Sequence, residues 1–350
     1  MNTVNTGKFM KTPIPAALLL VVILIIAIVL GIAIGSVQIP PRTIVGLILD
    51  RLSIIDFTVE DTSKYSTILF DIRMPRVALM ALTGAALATA GATYQGLFRN
   101  PLADPYLVGV ASGAGLGATI AITMNLHSNP LGLSTITIAA FAGGIITVGI
   151  VVIAARVGQT TPVTTMLLAG IAIGSFTTAA TTLLMLRRPD GLQRAFNWML
   201  GAYLGGGWST VQVMLPYIMI GSLLIYLNAR ALNVFQLGEE QAQQLGINVE
   251  RLKLLLVAAA TLMTASAVAF GGLIGFVGLI VPHVLRMFAG PDYRRLLPFC
   301  ILGGASFLVL SDLAARNLMA PRELPVGIIT ALTGTPFFIF LLRKLKRSVF

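Results

Sequence analysis

Long stretches without a single Asp, Glu, Lys or Arg dominate the pattern of hydrophobic and polar positions along the chain. A membrane-spanning helix needs about 20 apolar residues to cross roughly 30 Å of hydrocarbon, and most of these stretches are long enough. The uncharged tracts are 12–41, 77–98, 105–155, 157–186, 195–229, 254–285, 296–311 and 324–342. The pattern therefore predicts an all-α, polytopic membrane protein.

Three of these tracts contain internal breaks. The breaks are NLHSNPLG at 125–132, the glycines of 205–207 and the glycines within 271–275. Glycine clusters and Asn-Pro sequences favour turns and interrupt helices. Dividing the tracts there gives two spans from the longest one, a short helix before a full span from about Ser209, and two shorter helices that end near Ala289. The prediction is ten membrane helices in a single transmembrane domain over residues 1–350.

The first tract follows Lys8 and Lys11 and so begins like a signal peptide. Its apolar stretch from Ala16 to Val37 is too long for a signal-peptide core, and it lacks an obvious small-x-small cleavage site. We expect a retained first helix, with residues 1–15 as a cytoplasmic tail.

Composition agrees with a membrane protein and excludes a water-soluble enzyme. Hydrophobic residues make up 56% of the chain and charged residues only 11%, whereas soluble domains carry about 25% charged residues. With both termini inside, the inner segments carry 14 basic and five acidic residues, and the outer segments carry 10 basic and eight acidic residues. This agrees with the positive-inside rule. The net charge of +11 therefore reports membrane orientation rather than nucleic-acid binding.

Several kinds of chemistry are missing from the sequence. No G-x-x-x-x-G-K-[ST] phosphate-binding motif occurs, so this chain does not hydrolyse ATP by that route. The single cysteine, Cys300, excludes an internal disulfide, and His127 and His283 have no carboxylates at metal-ligand spacing. We therefore expect neither a metal nor a cofactor in this chain. Glu323 is interpreted structurally, as a residue that stabilises the positive end of the helix starting at Leu324.

The long uncharged tracts give an indication of the energy source that a transporter of this sequence would use. Charged residues within membranes are costly and usually functional, and tracts 105–155 and 157–186 contain no carboxylate. This disfavours coupling to an ion gradient and favours an energy source outside the chain.

Two extramembrane segments stand out by size. An extracytoplasmic loop is predicted at about 38–75, and a cytoplasmic loop at about 230–253 contains the most polar run of the chain, QLGEEQAQQLGINVER. Helix-forming residues fill Glu239 to Leu245, and Gly246 is placed to end a helix. The sequence predicts a short surface helix here, and a merely solvated connector is the alternative.

Small residues recur at four-residue spacing in two of the predicted spans. Gly109, Gly113 and Gly117 form a stripe typical of close helix packing. A second stripe lies in the fifth span, which is also rich in threonine; the candidate pathway residues there are Gly170, Gly174, Thr178, Thr181 and Thr182. Their hydroxyls would form an uncharged, mildly polar wall for a translocation pathway. Helix packing is the alternative, because threonines also bond to their own helix backbone.

The chain resembles the iron-chelate and cobalamin permease family, the membrane subunits of type II ABC importers. The resemblance is carried in order by DIRMPRVALMALTGAALATAGATYQGLFRNPLADPYLVGVASGAGLGA (71–118), NWMLGAYLGGGW (197–208), LGEEQAQQLGI (237–247), GGLIGFVGLIVPHVLR (271–286) and DLAARNLMAPRELPVGIITALTGTPFFIFLL (312–342). Ala202 departs from the serine expected after Trp-x-x-Gly.

The resemblance implies a complete transport assembly. It implies ten membrane helices in two weakly similar inverted halves, in the plasma membrane of a prokaryote. The partners would be a second copy or a close paralogue, membrane lipid, two ATPase subunits that bind ATP and magnesium, and an extracytoplasmic binding protein. The expected cargo is an iron chelate, either siderophore or haem, with cobalamin as the alternative. An ion-coupled secondary transporter is the alternative from another class.

The resemblance also assigns roles to individual residues. Arg73, Arg76 and Arg316 match positions that dock the binding protein, for which membrane-edge anchoring is the alternative. The residues matching the ATPase-coupling segment are Glu239, Glu240, Gln241, Ala242 and Gly246. Asn100 and Asp104 lie in a second inner turn that is also a candidate ATPase contact, although turn geometry explains their residue types equally well.

Overall fold

The computed structural model describes residues 13–35, 37–54, 62–126, 133–187, 191–202 and 205–349. Within these ranges the regular secondary structure is helical, apart from one isolated bridge between Val157 and Thr160. The predicted positions Lys8, Lys11 and His127 lie outside the described residues.

The long described helices overlap the uncharged tracts, and several shorter helices lie between them. They are α1 Pro13–Ala33, α2 Pro41–Arg51, α3 Thr62–Thr67, α4 Met74–Leu97, α5 Val110–Thr123, α6 Thr135–Ala154, α7 Val163–Arg187, α8 Leu192–Met199, α9 Trp208–Leu227, α10 Ala229–Phe235, α11 Glu239–Gln244, α12 Val249–Gly271, α13 Val277–Ala289, α14 Tyr293–Asn317 and α15 Val326–Val349. A π-helical turn, Ile68–Arg73, joins α3 to α4, and a 3-10 turn, Pro105–Val108, precedes α5.

Seven helical segments in the described residues are long and apolar enough to cross a membrane. They are Ile14–Ala33, Ser63–Leu97, Thr135–Ala154, Val163–Arg187, Trp208–Leu227, Val249–Gly271 and Tyr293–Asn317. Three shorter apolar helices, Val110–Thr123, Val277–Ala289 and Val326–Phe340, accompany them. Separate described helices lie on either side of each predicted break: α5 and α6 flank 125–132, of which 127–132 lie outside the described residues, α8 and α9 flank 205–207, and α12 ends at Gly271 before α13 begins at Val277.

Helices α4, α12 and α14 form the centre of the bundle, and α4 contacts its neighbours through glycine. A Cβ atom at Gly84 would overlap the carbonyl oxygen of Gly304 on α14, and one at Gly91 would overlap that of Gly278 on α13. Small residues let helix backbones approach this closely. Close approach at two levels fixes α4 against both neighbours.

The first glycine stripe also packs helices together. A Cβ atom at Gly113 would overlap the Thr147 side chain on α6, and one at Gly117 would overlap the Ala139 carbonyl oxygen. Gly109 precedes α5 with a φ of 84°, a left-handed conformation that favours glycine. The packing interpretation of this stripe is confirmed.

The segment predicted as a loop at about 38–75 is largely helical where it is described. Helix α2 covers Pro41–Arg51, and helical structure resumes at Thr62 and continues without a break into α4. The charges of Asp71 and Arg73 interrupt the uncharged pattern, but they do not interrupt the helix. The π-helical turn ends two residues before Pro75, and the Phe70 carbonyl oxygen within it accepts a hydrogen bond from Trp208 Nε1 at 2.8 Å.

Candidate functional site

Helix α4 separates two clusters of polar residues. Arg76 lies in its first turn, while the Gly96 carbonyl near its other end accepts a 2.8 Å hydrogen bond from Gln236 Nε2, just before α11. At 1.5 Å per residue these points are about 30 Å apart. The two groups of predicted site residues therefore lie at opposite ends of the bundle, the arginine end (Arg73, Arg76 and Arg316) and the α11 end.

At the arginine end, Arg76 joins the start of α4 to α14 and to the segment before α15. Its Nη2 lies 2.9 Å from Asp312 Oδ1, and its Nη1 lies 2.8 Å from Glu323 Oε2. Arg316 lies one turn after Asp312, with its Nε 3.0 Å from Asp312 Oδ2. A single buried carboxylate thus pairs with two buried guanidinium groups, and Glu323 supplies Arg76 with a second counter-charge.

Two of the arginines hold the end of α1. Arg73 Nη1 donates to the carbonyl oxygens of Ile32 and Ala33, each at 2.9 Å, and Arg316 Nη2 donates to Gly31 O at 2.9 Å. The last carbonyls of a helix lack partners within the helix and carry partial negative charge. Two cations bound there satisfy these carbonyls and fix α1 to the bundle.

The three predicted docking arginines are each buried, between 5% and 6% exposed. Their intramolecular bonds do not fit the alternative of anchoring at the membrane edge, where such side chains reach toward headgroups.

Glu323 was expected to stabilise a helix starting at Leu324; instead α15 begins at Val326 and the Glu323 carboxylate binds Arg76. Docking of a partner at these arginines stays a prediction.

At the α11 end, the short polar helix forms where the sequence predicts it. Helix α11 spans Glu239–Gln244, and Gly246 follows with a φ of 82°, a conformation that suits glycine at a helix end. Ala242 is fully buried and anchors α11 to the bundle, and its part in ATPase coupling stays a prediction. The exposed residues of this helix are Glu240, Gln241, Gln243 and Gln244.

Sequence reasoning missed the residue that holds the first turn of α11. Lys253 Nζ lies 3.1 Å from Glu239 Oε2 and 3.4 Å from Glu250 Oε2, and the lysine is only 2% exposed. The sequence carries one signal for it, because Glu250 and Lys253 stand three residues apart on one predicted helix. The charge count of the inner segments includes Lys253 but does not distinguish a lysine in water from one buried within the protein.

The turn after α4 also lies at the α11 end, and both predicted residues in it stabilise its shape. Asn100 Oδ1 accepts from the Leu102 N–H at 2.9 Å, and Asp104 Oδ1 accepts from the Tyr106 N–H at 2.8 Å. Burial raises the pKa of Asp104 to about 6, although the bond from Tyr106 acts in the opposite direction. Turn geometry accounts for both residue types, and their contact with an ATPase stays a prediction.

Four of the five predicted pathway residues line one groove of about 620 Å³ between α7, α5 and the 3-10 turn. They are Gly170, Gly174, Thr178 and Thr182, which face Tyr106, Gly109 and Ser112. Gly170 is required at its position, because a Cβ atom there would overlap the carbonyl oxygen of Leu107. The small-residue stripe of α7 therefore packs against the 3-10 turn at Gly170 and also forms one wall of the groove.

Thr181 does not line this groove. It is 2% exposed, and its hydroxyl donates to Thr177 O at 2.8 Å. Thr182 also donates to its own helix, at Thr178 O, but its side chain is exposed. Back-bonding to the helix therefore occurs at both Thr181 and Thr182, and a translocation pathway along Thr178 and Thr182 stays a prediction.

The described residues contain no group of three or more His, Cys, Asp or Glu side chains placed to hold a metal ion. The chemistry of the described groove is accordingly that of hydroxyls, backbone groups and apolar side chains.

Comparison with known proteins places most of the chain in one family. A profile of the FecCD transport family matches residues 23–344. The cobalamin import system permease BtuC of Halobacterium salinarum is 45% identical over 293 residues, covering 83% of this chain and 76% of that protein. The hemin transport system permease HmuU of Yersinia pestis is 42% identical over 280 residues, covering 79% of this chain and 84% of that protein.

The fold has a close counterpart among solved structures. A structure described as an inward-facing conformation of a metal-chelate type ABC transporter superposes with a TM-score of 0.81 at 28% identity, covering 94% of this chain and 99% of the other. Sequence and fold agree along nearly the full length. The chain therefore belongs to the FecCD transport family and is a permease of an ABC importer.

Proposed function

We propose that this permease carries an iron chelate, siderophore or haem, across the plasma membrane of a prokaryote, driven by ATP hydrolysis on a separate chain. The observation that carries the proposal is α11, a short helix anchored to the bundle by Ala242 and Glu239 with a row of polar side chains left exposed. The sequence contains no phosphate-binding motif of its own, so an ATPase bound at α11 would supply the energy. One ATPase would bind each of two permease copies.

The seven long helices and three shorter apolar ones support the predicted ten spans, with both termini cytoplasmic. Spans 2–5 and spans 7–10 would form two halves of inverted topology. The α11 end would then face the cytoplasm, and the arginine end would face the binding protein.

The groove on α7 supports a pathway between two copies of the chain. Leu168, Ile171 and Phe176 are 66%, 58% and 73% exposed, so α7 carries large apolar side chains on its outer surface beside the groove. A second copy, or a close paralogue, facing this surface would cover the apolar side chains and enclose the groove. The weakly polar wall of Thr178 and Thr182 would let a large chelate pass without binding it tightly.

Docking of an extracytoplasmic binding protein is proposed at the arginine end. Arg76 is buried, but its partner Glu323 is 52% exposed at the side chain. A carboxylate of the binding protein would replace Glu323 there, and paired charge-assisted hydrogen bonds make arginine suited to such an exchange.

The cargo is proposed from the names of two relatives, one a hemin transport permease and the other a cobalamin import permease. Cobalamin import is the alternative within the same mechanism. An ion-coupled secondary transporter is the alternative from another class. Such a carrier binds no ATPase and would have no use for the exposed polar face of α11, which argues against this alternative.

Reconstitution tests the proposal directly. The permease is co-expressed with its cognate ATPase, placed in proteoliposomes, and offered ferric siderophore, haem or cobalamin together with its binding protein. We expect uptake of an iron chelate only with ATP inside the vesicle and with the ATPase present. Uptake driven by a proton or sodium gradient without ATP would overturn the mechanism, and uptake of cobalamin alone would overturn the cargo.

A further inference from the structure

Lys253 connects three separate parts of the chain at the α11 end. Its Nζ atom donates to the carbonyl oxygen of Thr161 at 2.9 Å and lies 3.1 Å from Glu239 Oε2 and 3.4 Å from Glu250 Oε2. Glu239 is the first residue of α11, Glu250 and Lys253 belong to α12, and Thr161 lies in the connection from α6 to α7. One ammonium group thus joins the polar helix α11 to the start of the groove helix α7.

The arrangement matches the chemistry of an ammonium group. Lysine has three N–H donors and no acceptor, and three oxygen-bearing residues surround this one. The lysine is 2% exposed and Thr161 is 3% exposed, while the Glu239 and Glu250 side chains are 34% and 25% exposed, so the ammonium group itself is buried. Buried charges are stable only when they are paired and hydrogen-bonded, and therefore movement of α11 away from Lys253 would be opposed by the lost pairing.

Thr161 is in turn fixed to α7. The hydroxyl of Thr165, in the first turn of α7, donates to Ala155 O at 2.9 Å and to Pro162 O at 2.8 Å. These bonds hold the end of α6, the connection and the start of α7 as one unit. Helix α7 then continues without interruption to the groove residues Gly170, Gly174, Thr178 and Thr182.

We propose that Lys253 is a positioning residue that transmits displacement of α11 to α7 and so to the wall of the groove. The inference rests on the proposed function, because it requires that an ATPase moves α11. It adds the route inside the permease: Glu239 on α11, the Lys253 ammonium, the Thr161 carbonyl and the rigid start of α7. Glu250 hydrogen-bonds both the side chain and the backbone of Thr161, so it supports the same connection to α7, but it lies on the same helix as Lys253 and is not the link to α11.

The test compares two carboxylates that bind the same lysine. Glu239→Gln removes the charged link from α11, whereas Glu250→Gln removes an equally charged neighbour and leaves that link in place. Each variant is combined with Thr178→Cys, and the complex with its ATPase is placed in proteoliposomes. A membrane-impermeant maleimide then measures the accessibility of the introduced thiol with and without ATP, while phosphate release measures ATP hydrolysis. The native thiol of Cys300 is fully buried and gives little background.

We expect ATP to change the labelling rate of Thr178→Cys in the otherwise native chain and in Glu250→Gln. In Glu239→Gln the ATP-dependent change, normalised to the rate of ATP hydrolysis by the same complex, should fall by roughly fivefold or more, because coupling free energy is lost whatever rate the ATP site keeps. Continued hydrolysis by the complex shows that the variant is folded and assembled.

Three outcomes would overturn the inference. If Glu239→Gln keeps the full ATP-dependent change, the route does not run through Lys253. If both variants lose the change equally, the cluster serves stability rather than transmission. If the native chain shows no ATP-dependent change although it hydrolyses ATP with its partner, α7 is not moved at all; failure to bind any ATPase would instead overturn the proposed function itself.

Discussion

The guanidinium of Arg76 lies 2.9 Å from Asp312 Oδ1, although 236 residues separate the two in the sequence. Asp312 is 1% exposed, and its second oxygen lies 3.0 Å from Arg316 Nε. Asp312 is therefore the central counter-charge of the arginine end, where two cations would otherwise be buried close together. The stability of this end should depend on it more than on any exposed acid nearby.

Replacing Asp312 with Ala should destabilise the folded permease by about 3–5 kcal/mol, the usual cost of leaving a buried charge without its partner. Arg76 and Arg316 would then repel each other in a poorly hydrated site. Thermal unfolding of the purified permease in detergent measures the effect as a lowered midpoint.

Glu323→Ala is the matched control, because it removes the other acid that binds Arg76. Its side chain is 52% exposed, and partly hydrated ion pairs contribute only about 0–1 kcal/mol. Equal losses of stability in the two variants would show that burial of Asp312 has no special part in the cluster.

Reversing the charge of Glu240 should weaken ATPase binding without changing the stability of the permease alone. Glu240 is exposed on α11, and the α11 carboxylate that binds Lys253 is that of Glu239. Glu240→Lys should therefore reduce co-purification of the ATPase by roughly fivefold or more, since opposed charges at a contact surface discriminate strongly. An unchanged yield of the ATPase, with unchanged thermal stability, would exclude this face of α11 as the contact.

The order of helices was predictable from hydropathy, and the pairing of charges was not. Glycine clusters such as 205–207 mark helix breaks locally, because consecutive glycines in a helix interior lower its stability. The pairing of Arg76 with Asp312 depends on how α4 packs against α14, and nothing in the local sequence records it. The burial of Lys253 was unpredictable for the same reason. A lysine in an inner segment adds one positive charge to the count for that side of the membrane, whether it lies in water or is buried.

Gly170 should not tolerate a side chain, whereas Gly174 should. A Cβ atom at Gly170 would overlap the Leu107 carbonyl oxygen, while one at Gly174 would lie 3.4 Å from Ser112 Oγ, an ordinary contact. Gly170→Ala should therefore push α7 away from the 3-10 turn and cost about 1–3 kcal/mol, as overpacking usually does. Thermal unfolding of the two alanine variants in parallel tests this, and equal midpoints would show that α7 can move freely there.

Asp104 should make the permease less stable as the pH rises from about 4 to about 6. Its pKa in the folded chain is raised from 3.8 to about 6 by burial, so the folded state binds the proton more tightly than the unfolded state does. Asp104→Asn keeps an oxygen for the Tyr106 N–H and removes the charge. The variant should unfold at a higher temperature than the native chain at about pH 8, and the difference should vanish below about pH 4. A constant difference at all pH values would show that ionisation of Asp104 is not its cause.

Cysteine labelling along α7 should distinguish the groove face from the buried face. Thr178 and Thr182 are exposed and line the groove, while Thr181 is 2% exposed and faces the bundle. In vesicles, a membrane-impermeant maleimide should label Thr178→Cys and Thr182→Cys in at least one nucleotide state, and Thr181→Cys in none. The reason is that one-residue steps along a helix turn the side chain by about 100° and move it to another face. If all three positions resist the reagent in every state, α7 does not line an aqueous pathway, and its glycines and threonines serve packing alone.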